Sequence, residues 1–420
     1  MSIALFWDGS FLFGLMAFWG LKQASIPFNL ITAQDISKGA LDNYDVLFVP
    51  GGWIKEKIDA LGESGKEKIC QFVKGGGNYL GICGGAGLAL KVKGGLGLVE
   101  VERKESKNLA NFSGKIKIKT TDHPIWSKLS SPSLYIFWPG HFKILEPDKI
   151  KILGYYDESE PDFFAADINT NDLRKYEDLK RWEDYYKIRL DPKLLKDKPA
   201  ILEGRYRKGK VILSYLHFDT PNDEQGKRVL FNIWQYLSKK GKSKPKIITG
   251  PLISKDCLPF VEKLEGDLEE FIEFGKRSFI WYWRYPWMLG WRKGIRGFHY
   301  ATLYVLIKEM AKCIRDLAGD KEDKEGIMIR ENLKKLTEIL PLFLESAKEL
   351  LLKERYLLNF RSLSFMECDD PEIQSIRDEL FGKTISYGGK LKEILGYIDN
   401  ISLPILKSVS FLPFQFFKSH

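Results

Sequence analysis

Short apolar runs separated by longer amphipathic stretches dominate the first 240 residues. IALFW (3–7), FNLIT (28–32), DVLFVP (45–50), NYLGI (78–82), KIKIKT (115–120), LYIFW (134–138), KILGYY (151–156), AILEGRY (200–206) and KVILSYLHF (210–218) read as strands. Between them, residues 10–22, 54–74, 84–91 and 223–239 read as helices. Continuous apolar strands alternating with helices predict a mostly parallel sheet covered on both faces, an α/β fold of flavodoxin-like type. From about residue 251 the pattern changes, and apolar residues recur at spacings of three and four. That spacing predicts an antiparallel α-helical bundle, with Pro341 and Pro404 kinking or interrupting their helices. The expected domains are therefore 1–244 and 245–420, joined by the basic linker KKGKSKPK (239–246). Residues 157–199 are charged, aromatic and too long for a simple connection, and are expected to form an excursion over or beside the sheet edge.

The apolar N-terminus, IALFWDGSFLFGLMAFWGL, has the look of a signal peptide but lacks its grammar. No basic segment precedes it, Asp8 and Gly9 interrupt it, and no A-x-A site ends it, so it reads as strand, turn and apolar helix. Nowhere does an uninterrupted apolar run approach the roughly twenty residues that a spanning helix needs. Hydrophobic content of 44% with 29% charged residues fits a soluble globular chain. The net charge of +9 is interleaved with acids and accompanies no basic helix or RNA-binding signature, so nucleic acid is not an expected partner. Cysteines 70, 83, 257, 313 and 368 form no CxxC pair, which argues against a disulfide framework or zinc site and for a reducing, cytoplasmic setting. Neither metal nor organic cofactor is expected.

Against this background GGGNYLGICGGAGLAL (75–90) stands out. Cys83 lies between a strand and a helix in the pattern G-x-[nucleophile]-x-G, where glycines let strand and helix close around a strained turn. Helix N–H groups facing the sulfur stabilise thiolate, and the Gly84 N–H is a natural oxyanion donor. DVLFVPGGW ends in a second glycine pair, with Gly52 expected to supply the other oxyanion donor and Gly51 to permit the conformation. In LSYLHFDTP, His217 follows a strand and Asp219 comes two residues later, as a thiolate's imidazole partner and its orienting carboxylate would. Asp8, Gly51, Trp53 and His141 are further pocket candidates. For Asp8 a helix cap weighs equally, and for His141 an exposed loop position is favoured. His123 reads as turn chemistry in TDHPIW, and Glu203 as an acid paired with a basic neighbour.

The ordered set PGG, G-x-C-G-G and H-x-D resembles the class I glutamine amidotransferase-like superfamily. Its flavour is similar to the family related to the N-terminal domain of biotin–protein ligase, supported by EGRYRKGKVILSYLHFD (203–219) and TTDHPIW (120–126). The resemblance covers about residues 1–240. It implies that Cys83 attacks an amide carbon, His217 shuttles protons and the acid two residues beyond, here Asp219, orients it. The usual H-P-E is H-F-D in this chain, and neither an ammonia-acceptor domain nor a biotin-ligase catalytic domain follows. The expected function is a cysteine-dependent amidase or amidotransferase-like hydrolase acting on a small amide. The alternative is a non-catalytic binding or scaffolding protein that uses the sheet pocket, with the helical bundle contacting a protein partner or forming a homodimer. The aromatic segment 279–294 is expected to pack as a junction or dimer contact, a reading favoured over a membrane-surface belt.

Overall fold

The computed structural model describes residues 3–103, 111–173, 176, 178–238 and 248–410. They form two compact units, residues 3–238 with Ser410, and residues 248–409. The linker expected at 239–246 and the boundary at 244/245 lie outside the described residues.

In the first unit the strands are β1 (Ile3–Phe6), β2 (Phe28–Ile31), β3 (Val46–Val49), β4 (Asn78–Ile82), β5 (Val101–Arg103) and β6 (Phe112–Thr120). They are followed by β7 (Ser133–Phe137), β8 (Phe142–Ile144), β9 (Lys151–Ala165), β10 (Ile168–Asn169), β11 (Pro199–Tyr206) and β12 (Gly209–Ser214). The helices are α1 (Phe11–Gln23), α2 (Ala33–Ser37), α3 (Ile54–Lys74), α4 (Gly84–Ala89), α5 (Thr170–Leu173), α6 (Leu179–Tyr186) and α7 (Glu224–Leu237). One sheet runs β2-β1-β3-β4-β12-β11-β9-β6-β7, with β10 paired to β9. From β2 to β12 the neighbours are parallel. This is the flavodoxin-like order, whose direction reverses between β1 and β3. Every residue of β1, β2, β3 and β4 is buried, as strands covered on both faces must be. Helix α1 contacts α7, whereas α3 contacts α2 and α4, so the helices form two groups. Right-handed crossovers in opposite directions from β1 place those groups on opposite faces.

Beyond β12 the sheet becomes antiparallel. Residues of β6 alternate buried and half-buried over most of its length, the pattern of a strand with one covered face. The strand expected at 151–156 continues to Ala165 in β9, so the excursion begins as sheet. Pro161 and the surrounding acids hide this, because proline cannot donate to a ladder and rarely marks a strand. Helix α3 was expected unbroken, yet Gly62 adopts φ 56° and ψ −170° and divides it.

The second unit contains α8 (Leu258–Arg277), α9 (Gly297–Leu317), α10 (Lys324–Leu357), α11 (Pro371–Phe381) and α12 (Gly389–Val409). Helix α10 packs on α8, α11 and α12, and α9 packs on α8 and α12. Both Pro341 and Pro404 lie within continuous helices, so of the expected kink or interruption the interruption does not occur. Residues 279–294 hold a β-hairpin, Trp281–Tyr285 with Met288–Trp291, turned at Pro286 and Trp287. The Trp281 indole packs on Phe271 and Tyr300 and donates from Nε1 to the Ile272 carbonyl at 2.9 Å. Among the described residues, no helix is long and apolar enough to cross a membrane.

Candidate functional site

Three loops at the carboxyl ends of the parallel strands build the site: Asp8-Gly9-Ser10 after β1, Pro50-Gly51-Gly52 after β3, and the turn at Cys83 after β4. Cys83 is the N-cap of α4, with φ 50° and ψ −107°, a left-handed conformation that costs a non-glycine residue free energy. Its backbone is locked on both sides. Cys83 N donates to the Ser214 carbonyl at 2.7 Å, and Gly87 N donates to the Cys83 carbonyl at 2.9 Å. The glycines that follow are required by space. A Cβ on Gly84 would lie 1.8 Å from the Gly52 carbonyl oxygen, and one on Gly85 would lie 1.9 Å from that of Val49. The elbow and the PGG turn are therefore in backbone contact, and Gly85 N donates to the Pro50 carbonyl at 3.1 Å.

Gly51 and Gly52 exchange the reasons expected for them. The left-handed φ of 109° belongs to Gly52, whereas Gly51 is small because a Cβ there would meet Phe13 at 2.8 Å and the His217 ring at 3.1 Å. The PGG turn thus presses on the imidazole as well as on the elbow. Trp53 occupies the N-cap position of α3 without a side-chain cap bond, half-buried, with its Nε1 enclosed and unpartnered.

His217 does not end a strand as expected. β12 stops at Ser214, whose hydroxyl accepts from Leu216 N at 2.9 Å and turns the chain. The histidine then hangs from His217 N, which donates to the Tyr135 carbonyl at 2.8 Å, with its ring stacked on Phe13 and tilted against Phe137. Its Nδ1 lies 3.2 Å from Asp219 Oδ1, and both side chains are 0% exposed. With Nδ1 donating to the carboxylate, Nε2 is the ring nitrogen left to face other groups. Nε2 is buried and makes no hydrogen bond of standard geometry. The ring nevertheless reaches Cys83 in a looser contact that couples the two groups, as is common in unliganded sites.

The electrostatics follow from these contacts. Burial alone pushes the Cys83 thiol up, but the His217 contact and charge, then Arg103 and the Gly84 N–H, outweigh it and bring the thiol below its ordinary range. Burial likewise pushes His217 down, but Asp219 by charge and hydrogen bond, then Cys83, raise it to about 9. Both shifts are in the direction that favours a thiolate–imidazolium pair. Cys257, by contrast, is pushed up to about 11, first by burial, and burial also raises Cys70 and Cys313.

Asp8 lies near this cluster but caps a neighbouring helix. Its Oδ2 accepts from Ala33 N, the first residue of α2, at 2.5 Å. His141 is half-buried in the loop whose Gly140 lies against the Tyr215 ring. His123 and Glu203 are structural: their side chains meet at 3.2 Å, and the Tyr236 hydroxyl donates to Glu203. Four residues here had no signal in the sequence. Arg103 acts on Cys83 and Tyr215, the buried hydroxyls of Tyr156 and Tyr215 are unpartnered, and Lys57 lies fully buried beneath the PGG turn. Among the described residues, no three His, Cys, Asp or Glu side chains converge to hold a metal ion.

A solved structure described as a GMP synthase component from Thermoplasma acidophilum is 14% identical with a TM-score of 0.36, covering 56% of this chain and 94% of that one. A ThuA-like protein from Bacteroides uniformis is 12% identical with a TM-score of 0.36, covering 58% and 93%. A glutamine amidotransferase from Thermotoga maritima is 13% identical with a TM-score of 0.31, covering 56% and 83%. No curated protein matches the chain. The family model described as Biotin-protein ligase, N terminal, matches residues 31–120, the span that carries the PGG turn and the Cys83 elbow.

Proposed function

We propose that the protein is a cysteine-dependent amidase or amidotransferase-like hydrolase acting on the carbon–nitrogen bond of a small amide. The observation that carries this reading is Cys83, held at φ 50° on a backbone-locked elbow and coupled to the buried His217–Asp219 pair. In the first step the thiolate attacks the amide carbon. The Gly84 and Gly52 N–H groups hold the tetrahedral oxyanion, and His217 Nε2 gives its proton to the leaving nitrogen. The C–N bond breaks, the amine or ammonia departs, and an acyl-thioester remains on Cys83. In the second step neutral His217 takes a proton from water, whose oxygen attacks the thioester; the carboxylic acid leaves and the thiolate–imidazolium pair is restored. Asp219 holds the tautomer that makes Nε2 available in both steps.

The test is site-resolved labelling with iodoacetamide at neutral pH. Cys83 should react at least tenfold faster than Cys70 and faster than a free model thiol. If it reacts no faster than Cys70, or if His217→Ala leaves its rate unchanged, the reading is wrong.

A further inference from the structure

Lys57 is an unusual residue to find in the first turn of an amphipathic helix. Its side chain is 0% exposed, where lysine almost always reaches water. The ammonium donates to the Ser10 hydroxyl and lies 5.8 Å from the centre of the Phe6 ring. Ser10 is itself buried, and its hydroxyl donates to the Phe6 carbonyl at 3.3 Å. A Cβ on Gly52 would lie 3.6 Å from Nζ and 2.8 Å from the Gly9 carbonyl oxygen. Gly52 therefore turns one side of its Cα to both the Gly9-Ser10 backbone and the Lys57 ammonium. Three groups that must keep register, the β1 loop, the PGG turn and the start of α3, meet at this one nitrogen.

Burying an ammonium costs several kcal/mol, and here burial outweighs the Ser10 hydroxyl, the Phe6 ring face and the Asp8 and Cys83 charges together. A methionine of similar length would pack there without that cost. We propose that Lys57 is a positioning residue that clamps the PGG turn, so that the Gly52 N–H points at the oxyanion formed on a Cys83 adduct. This rests on Cys83 acting as an acylating nucleophile, as argued above. Charged or titratable groups act on the ammonium from the β1 loop (Asp8) and from the elbow (Cys83). His217 lies against Gly51, on the adjoining residue of the same turn.

Two reactions of Cys83 separate positioning from nucleophilicity. With p-nitrophenyl acetate the sulfur bonds to the carbonyl carbon through an oxyanion, the ester C–O bond breaks and p-nitrophenolate leaves. With iodoacetamide the sulfur displaces iodide from carbon, and no oxyanion forms. The measured quantity is the ratio of the two rate constants at Cys83, in the full chain. Lys57→Met should lower that ratio at least tenfold, since a misaimed oxyanion donor costs acylation alone. Ser10→Ala, which removes the acceptor and leaves the lysine, should lower it by a smaller factor. Burial brings Lys57 down to about 7, against the opposing pull of Asp8 and Cys83. The ratio in the unaltered protein should accordingly fall as pH rises through neutrality, and that titration should vanish in Lys57→Met. A ratio unchanged in both variants overturns the proposal, as does a ratio that titrates identically with and without Lys57. Failure of the underlying catalytic reading looks different: Cys83 would then be slow towards both reagents in the unaltered protein.

Discussion

His217 in the α/β unit and His299 in the helical unit are both enclosed, yet they titrate in opposite directions. Burial pushes each imidazole down. For His217 the Asp219 carboxylate and Cys83 overcome it, and the ring rises to about 9. For His299 the nearby Arg296 adds to burial, the only relief is an Nε2 contact of 3.0 Å with the Ser386 carbonyl, and the ring falls to about 3. The cysteines repeat the contrast, with Cys83 lowered and Cys313 raised. Enclosure alone therefore does not mark a functional group. What sets the first unit apart is charge partners converging on Cys83 from separate loops.

The helical unit also carries a buried ionic cluster, built to a different plan. Arg377 donates to Glu354 at 2.7 Å, to the Ser364 carbonyl at 2.7 Å and to the Gly294 carbonyl at 3.4 Å. Arg296 donates to the Thr384 carbonyl at 3.2 Å and lies over the Phe381 ring. These arginines tie loops to helices through main-chain oxygens, the work of a latch. Arg377→Met should produce the largest effect on stability of any change discussed, about 3–5 kcal/mol, because it strands the Glu354 carboxylate in the interior. Hydrogen exchange of α10 and α11 in denaturant reads this. The double change Glu354→Leu with Arg377→Met should recover most of the loss, and a single-variant cost below about 1 kcal/mol would undo the latch reading.

In the first unit the expected losses are in reactivity. His217→Ala removes the two largest influences that lower the Cys83 thiol, leaving Arg103 and the Gly84 N–H against burial, so alkylation at pH 7 should slow on the order of a hundredfold. Asp219→Asn keeps the imidazole but takes away its charge partner. Labelling should slow about tenfold, and the alkaline limb of its pH profile should move down from near pH 9. If Asp219→Asn behaves as the unaltered protein does, His217 and Asp219 are neighbours without coupling.

The fold of the first unit was largely legible because its parallel strands are short and wholly apolar and end in glycine turns. Cys83, Gly52, Gly84, His217 and Asp219 could be picked out because each lies within a few residues of a strand end, where local spacing carries information. Lys57 could not. In IKEKIDAL it stands three residues after Ile54 and four before Leu61, on the apolar side of the helix, but lysine ordinarily reaches water, and here the Gly9-Ser10 backbone lies beside it. Tyr156, Tyr215 and Arg103 come from different parts of the sheet and its flanking ribbon, and converge only through the antiparallel extension. The hairpin at 281–291 was missed for another reason. Its tryptophans and tyrosines suggest surface or interface use, whereas Pro286-Trp287 makes a two-residue turn and the hairpin's first tryptophan packs inward on Phe271 and Tyr300.

The two histidines also give their units opposite pH signatures. The folded pKa of His217 lies above its unfolded value near 6.5, so its contribution to stability is complete below pH 6.5 and is lost as pH rises through about 9. The folded pKa of His299 lies below the same reference, so its contribution is complete above pH 6.5 and is lost as pH falls towards about 3. Within those windows each group changes stability by about 1.4 kcal/mol per pH unit. His299→Leu should show this with little other disturbance. It gives up one Nε2 hydrogen bond and also removes the unpartnered Nδ1, so stability at pH 7 should change by about 1 kcal/mol or less. Between pH 6 and pH 4 the variant should lose stability more slowly than the parent, read by exchange of α9 amides. An unchanged acid slope would mean that His299 is protonated without penalty, and the contrast with His217 would then rest on the carboxylate alone.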